Sequence, residues 1–274
     1  MKFFKHILYR IPQSSFLILL FYNFYYVQQY AQVTESTFQH FSIEEGLSDN
    51  AVNCIVQDNE GYIWMGTEDG LNKFNGYTTK VFKISQIDPL LNGINHVNCA
   101  FKDSRGRLWF GSKGLILYHP NENKFNVFQH SASANSINHN DVFCITEDEY
   151  HTIWIGTRVG LARFDESTNT FTRFKLDTLR PHLETYGKNR IIEIIADHRG
   201  FLWLSTLIGL HKFSIANYKY TTFLLDTVDK ESLNANHFGP MAMTPNGEIW
   251  INFYGQKLMR FDTSIQLFSD VKLP

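Results

Sequence analysis

The sequence predicts an all-β chain folded as a β-propeller of four-stranded blades. Three observations carry this: an internal repeat of 45 to 49 residues, turn chemistry between short β-rich runs inside each repeat, and no apolar stripe of helical period beyond the first 31 residues. Composition agrees. The 274 residues are 43% hydrophobic and 15% aromatic with a net charge of −2, which supplies a large core and too little charge for disorder. No Lys/Arg run gives the electrostatic footprint of a nucleic-acid binder, so that partner is set aside.

The N-terminus differs from the rest. Lys2, Lys5 and Arg10 precede an apolar run from Phe16 to Val27, and Ala31 stands at a plausible cleavage position. Residues 1–31 therefore have the pattern of a secretory signal peptide. The apolar run is interrupted by Asn23 and falls short of the ~20 residues a membrane-spanning helix requires, so removal is favoured. Gln29, where a small residue is usual, leaves an uncleaved N-terminal anchor as the alternative. Residues 32–274 then form an exported, periplasmic repeat region.

All five tryptophans fall in one series, Trp64, Trp109, Trp154, Trp203 and Trp250, at spacings of 45, 45, 49 and 47 residues. Counting from each Trp fixes the register. Fourteen positions earlier stands Asn50, Asn95, Asn140, Asn189 or Asn236; six earlier stands Asp58, Asp103, Asp148 or Asp197, with Thr244 in the fifth repeat. Three earlier comes Gly61, Gly106, Gly200 or Gly247, with His151 in the third repeat. Two after come Gly66, Gly111 and Gly156, then Ser205 and Asn252.

Each unit reads in order as an inner strand ("AVNCIVQ"), a D-x-x-G hairpin turn, a second strand ("YIWMGT"), a third ("GLNKF") and an outer strand ("YTTKVFK"). Such a unit cannot bury both faces alone, and radial stacking of neighbours covers them. The Trp is then the packing anchor between blades, and the glycines let the backbone turn and approach closely.

The stretch "LSDNAVNCIVQDNEGYIWMGTEDGLNKFNG", Leu47 to Gly76, resembles the two-component regulator propeller repeat, and the resemblance extends over about 38–274. It implies a seven-bladed propeller in the periplasmic input region of a hybrid two-component histidine kinase. It also implies a glycan or oligosaccharide ligand, signalling through a transmembrane kinase, and repositioning of a propeller homodimer. Departures are the shortened turn at Gly114, the lost glycines at Ser205 and Asn252, and the "NFYGQKLMRF" of the last repeat.

Outer-strand segments are expected near Thr78–Phe82, Phe125–Phe128, Phe171–Phe174, Tyr220–Phe223 and Gln266–Ser269, with a sixth ahead of the first repeat at Phe38–Phe41. Five blades own their outer strands, so the leading one needs a partner that lacks its own. The chain is thus expected to be part of an incomplete seven-bladed ring and the N-terminal piece of a longer sensor, with ~90 residues of propeller wanting. An independent five-bladed ring is the competing reading.

The polar residues give little chemistry. Cys54, Cys99 and Cys144 each precede a Trp by ten; 45-residue intervals are not zinc-ligand spacing, and small packing residues are expected. His96 and His237 each precede a Trp by thirteen and are the candidate ligand-binding residues, on loops leading into blades. The Asn series is expected in Asx-type turns ahead of the inner strands, and the Asp series in hairpin turns. Nothing matches a nucleophile elbow, a P-loop or a dinucleotide fingerprint, so no catalytic residue, metal or cofactor is assigned and the chain is read as no enzyme. A lyase or glycosidase on a propeller scaffold, and a non-functional truncated remnant, are the alternatives.

Overall fold

The computed structural model describes residues 40–88, 91, 95–176, 189–225, 238–253 and 257–271. The expected signal segment 1–31 and the candidates Asn236 and His237 lie outside the described residues. Among the described residues no helix is long and apolar enough to cross a membrane.

Alternating short β-rich runs and turns produce five antiparallel four-stranded sheets, each in simple meander order. Blade 1 comprises β1 Val52–Gln57, β2 Ile63–Thr67, β3 Gly70–Phe74 and β4 Thr79–Phe82. Blade 2 comprises β5 Cys99–Lys102, β6 Leu108–Ser112, β7 Gly114–His119 and β8 Lys124–Phe128. Blade 3 comprises β9 Val142–Glu147, β10 Ile153–Thr157, β11 Gly160–Asp165 and β12 Thr170–Phe174. Blade 4 comprises β13 Ile191–Ala196, β14 Phe201–Thr206, β15 Gly209–Ser214 and β16 Tyr220–Phe223. Blade 5 comprises β17 Phe238–Met243, β18 Ile249–Phe253, β19 Lys257–Asp262 and β20 Leu267–Asp270. The expected outer strands are present. The sixth is not formed at His40 and Phe41, the part of it described: Ser42 caps a 3₁₀ turn, Ile43–Glu45, through a capping box, which turns the chain away from an extended path.

The inner strands stack in sequence, β1 on β5, β5 on β9, β9 on β13 and β13 on β17. The second strand of each blade carries the Trp into the next junction. Trp64 meets Phe110 and Tyr118 of blade 2 at ring separations of 5.7 and 4.7 Å; Trp109 meets Phe164 at 5.3 Å, Trp154 meets Phe213 at 5.6 Å, and Trp203 meets Phe261 at 5.6 Å. These are favourable aromatic separations, worth ~1 kcal/mol each beyond the area they bury. These four Trp are at most 1% exposed.

In blades 1, 2 and 3 the Asp serves two structures at once. Asp58, Asp103 and Asp148 each accept two turn N–H groups on Oδ1 and the indole N–H of their own Trp on Oδ2, at 2.8, 2.8 and 2.7 Å. The carboxylate thus closes the hairpin and fixes the Trp rotamer. Three residues before each Trp the backbone turns left-handed: Gly61, Gly106, Gly200 and Gly247 have φ between 78° and 92°, and His151 holds 61° in the third repeat. His151 takes a conformation that costs an L-residue about 1 kcal/mol, and its Nδ1 lies 2.9 Å from Ser104 Oγ of blade 2 and 3.2 Å from Glu147.

The cysteines explain the glycine two after each Trp. Cys54 pairs across the hairpin with Gly66, Cys99 with Gly111 and Cys144 with Gly156. A Cβ on those glycines would lie 2.5, 2.5 and 2.3 Å from the thiol and under 3 Å from Val97, Val142 and Ile191 of the next blade. Cys and Gly are one packing unit, and they are replaced together, as Glu193 with Ser205 and Pro240 with Asn252. Burial holds all three thiols well above the ordinary range, Cys54 at about 12, so they are inert packing groups.

A candidate ligand face on the interblade loops

Meander topology divides the loops between two faces. Each inner strand starts at one face and ends at the D-x-x-G turn on the other; the second strand returns to the first face and the third leaves it. The first face therefore carries the loops between blades and the turns between second and third strands. Thr67, Thr157 and Thr206 staple those turns by donating to the carbonyls of Gly70, Gly160 and Gly209 at 2.9–3.0 Å. Rigid turns beside variable interblade loops are the usual setting for a recognition surface.

The junction between blades 2 and 3 concentrates charge here. Asp141, 6% exposed at the start of the inner strand, pairs with Lys113 Nζ of the blade 2 turn and with Arg158 NH1 of the blade 3 turn at 3.4 Å. His139 Nδ1 accepts the Asp141 backbone N–H at 2.9 Å. Burial works to raise the Asp141 carboxyl, but the bonds from Lys113 and the surrounding cations outweigh it and hold it below the usual range. Burial also lowers His139, against the pull of Asp141. Two cations share one carboxylate, and the Arg158 side chain beside it is 57% exposed.

At the neighbouring junction Glu68 stands beside the Asp69–Lys83 pair. Asp69 accepts from Lys83 Nζ at 2.5 Å and from Asn95 Nδ2 at 2.9 Å, and the Lys83 bond, the larger cause, lowers its carboxyl. Nearer the inner strands, Asn53 and Asn98 reach across junctions to the carbonyls of Val97 and Val142 at 3.2 and 2.9 Å. Asn95 Oδ1 and Asn189 Oδ1 are enclosed acceptors without a hydrogen-bond partner among the described residues. Glu193, at the cysteine position of blade 4, is raised to about 6 by burial, against the Ile194 N–H.

The sequence candidates are distributed unevenly over this geometry. His96 is half-buried on the first face, where its carbonyl accepts the Ser112 hydroxyl at 2.6 Å. Its register, thirteen before the Trp, is the one Asp141 occupies in blade 3, so spacing located the cluster and missed the residue that carries it. Lys113 and Arg158, each four residues after a Trp, were the available signal. Asn50 and Asn140 do not form the expected Asx turns: their Oδ1 atoms accept from Ile43 N and His130 N, closing the preceding loops, while Asp49 makes the Asx turn with Ala51. Among the described residues no group of three or more His, Cys, Asp or Glu is placed to hold a metal ion.

The second face has open clefts at the hairpin turns. One of about 550 Å³ lies between blades 4 and 5 and is lined by His198, Arg199, Trp203 and Thr263 among others. Arg105 and Arg107 of blade 2 both reach Glu166 of blade 3, at 2.6 and 2.7 Å, and clamp that junction.

Three stretches of the chain, residues 46–69, 93–114 and 136–158, match the two-component regulator propeller family. They coincide with the leading loop, inner strand and Trp strand of blades 1, 2 and 3. Three blades thus carry stretches similar to two-component regulator propeller repeats. A 68-residue stretch is 41% identical to Histidine kinase P4 of Formosa agariphila, covering 25% of this chain and 5% of that protein. The fold matches the extracellular domain assigned to a hybrid two-component system of B. thetaiotaomicron at a TM-score of 0.69 and 24% identity, over 84% of this chain and 31% of that one. It also matches virginiamycin B lyase from Staphylococcus aureus at a TM-score of 0.62 and 14% identity, over 82% of this chain and 70% of that one. The chain therefore spans about a third of the matched sensor domain and a twentieth of the kinase.

Proposed function

We propose that this chain is a non-enzymatic, ligand-sensing propeller of a two-component system, exported to the periplasm and responding to oligosaccharides. It acts as the leading part of a longer sensor, whose further blades and kinase complete a homodimeric receptor anchored in the membrane. The observation that carries the reading is the first face at the junction of blades 2 and 3, where Lys113, Arg158 and His139 converge on Asp141 beside loops that reach across blades. Hydroxyl-rich ligands suit such a surface, because charged groups already oriented by one another bind without much reordering. Family repeats in three blades and likeness to sensor ectodomains support the signalling context. The lyase likeness is one of fold and brings no residue role with it.

The test is a thermal-shift panel of neutral and acidic oligosaccharides on the full chain and on Arg158→Ala. A saccharide that raises the midpoint of the unaltered chain, with the rise reduced in the variant, is the expected result. A panel without any shift, or a shift untouched by Arg158→Ala, overturns the assignment of this face.

A further inference from the structure

We infer that a cleft on the second face, between the outer two strands of blade 1 and the β7–β8 turn of blade 2, is a binding site for a small phenol. The chain shows the bound arrangement at the junction of blades 3 and 4, where its own Tyr218 takes the corresponding position.

The turn between β15 and β16 places Tyr218 in the left-handed region at φ 60°, a conformation that a bulky L-residue keeps only when its surroundings hold it. Its contacts do so. The Tyr218 ring lies 5.1 Å from Phe174 of blade 3 and 6.3 Å from Phe213 of blade 4. Its hydroxyl accepts from Arg163 NH1 at 2.7 Å, and the guanidinium carbon stands 5.6 Å from the ring centre. A phenol is thus held against two aromatic side chains with its oxygen on a cation, each contact favourable for such a ring.

Strand pairing puts each of these residues in register with one at the junction of blades 1 and 2. Lys73, opposite Trp64, corresponds to Arg163, opposite Trp154; Phe82 corresponds to Phe174 and Tyr118 to Phe213. Asn123, five residues after Tyr118, stands where Tyr218 stands five after Phe213, and it too is left-handed, at φ 48°. The backbone is kept and the ring is not. Asn123 Oδ1 instead accepts the Tyr118 hydroxyl at 3.0 Å. Beside it opens a cleft of about 490 Å³, a size usual for small-molecule sites. Tyr62, Phe82 and Tyr118 are among its walls, with Lys73, Lys80 and Glu60 supplying charge. Lys73 Nζ, 3.9 Å from the Tyr62 ring centre and 3.7 Å from Asp58 Oδ2, is held in place as the cation. At the junction of blades 2 and 3 Leu117 takes this register and is 3% exposed, so the cation is not a general feature of the blade.

The test is equilibrium dialysis of saturating p-cresol, the tyrosine side chain as a free molecule, against the full chain and two variants. Asn123→Tyr returns the internal ring to a backbone already left-handed and is expected to remove one bound p-cresol per chain. Tyr218→Asn empties the other junction and is expected to add one. Lys212, Phe223 and Gln266 repeat the cation, the aromatic wall and a turn without a ring at blades 4 and 5, so each count is read as a change from the unaltered chain. Both substitutions fall on exposed turn residues, and the thermal midpoint checks that each variant is folded. No binding of p-cresol, or binding left unchanged by either variant, overturns the inference. So does displacement of p-cresol by glucose, which would make the cleft a sugar site. Neither Arg158 nor the first face enters these readouts, so failure here and failure of the sensing assignment are separate results.

Discussion

Replacing Asp148 by Ala tests the link between turn and core. The carboxylate accepts Tyr150 N and Thr152 N at 2.9 Å each and Trp154 Nε1 at 2.7 Å. The two turn amides lie at the surface and rehydrate, so each loses ~1 kcal/mol net. The indole N–H belongs to a side chain with no solvent exposure and is left without an acceptor, which costs a further ~1–3 kcal/mol. The sum is about 3–5 kcal/mol, a large share of the stability of a domain this size. Urea unfolding followed by far-UV circular dichroism reads it directly. Asp197→Ala is the internal comparison: its Oδ1 accepts Arg199 N and Phe201 N at 2.8 and 3.0 Å in a more exposed turn, and a loss of about 2 kcal/mol is expected. Equal losses at the two sites, or less than ~1 kcal/mol at Asp148, would refute the claim that the carboxylate positions the Trp.

The reciprocal change, Thr244→Asp, gives Trp250 Nε1 the acceptor that Trp64, Trp109 and Trp154 have and is expected to raise stability by about 1 kcal/mol in the same assay. Gly111→Ala drives a methyl to 2.5 Å from Cys99 Sγ and 3.0 Å from the Val142 carbonyl; a loss of ~1–3 kcal/mol is expected, part of it recovered by adding Cys99→Ala. His211 is buried between Thr206 and Thr222 hydroxyls, and burial lowers it to about 4. The unfolded chain binds this proton below about pH 6.5 and the fold does not until about 4. Stability should therefore fall by up to ~3 kcal/mol as pH drops through that window, and His211→Asn, which mimics Asn72 of blade 1, should flatten the profile. Glu193 has the opposite sign: raised to about 6, it destabilises the fold as pH rises past 4.5, so Glu193→Gln should stabilise the chain at pH 7 by ~1–2 kcal/mol.

Repetition made most of the fold legible. Trp spacing, the D-x-x-G turns and the glycines set blade number, strand order and register, because each answers a local requirement: an anchor, a turn acceptor, a left-handed residue. The site was less legible, since it is assembled across repeats. Asp141 pairs with Lys113, 28 residues earlier, and with Arg158, 17 residues later, and neither separation is a motif. The outer-strand reading of Phe38–Phe41 failed at His40 and Phe41 for a local reason, the Ser42–Glu45 capping box that follows, and Phe41 packs on Phe74 at 4.8 Å. The Cys–Gly coupling was visible as two separate series and needed the strand pairing to become one.

The most direct test of the sensing account is hydrogen exchange of the full chain with and without the oligosaccharide that stabilises it most. The account predicts slowed exchange in the interblade loops 83–88, 95–98 and 129–141 and in the turn at Arg158, with the hairpin turns at Asp58, Asp103 and Asp148 unchanged. Protection confined to those hairpin turns, or no protection with any saccharide, would contradict it.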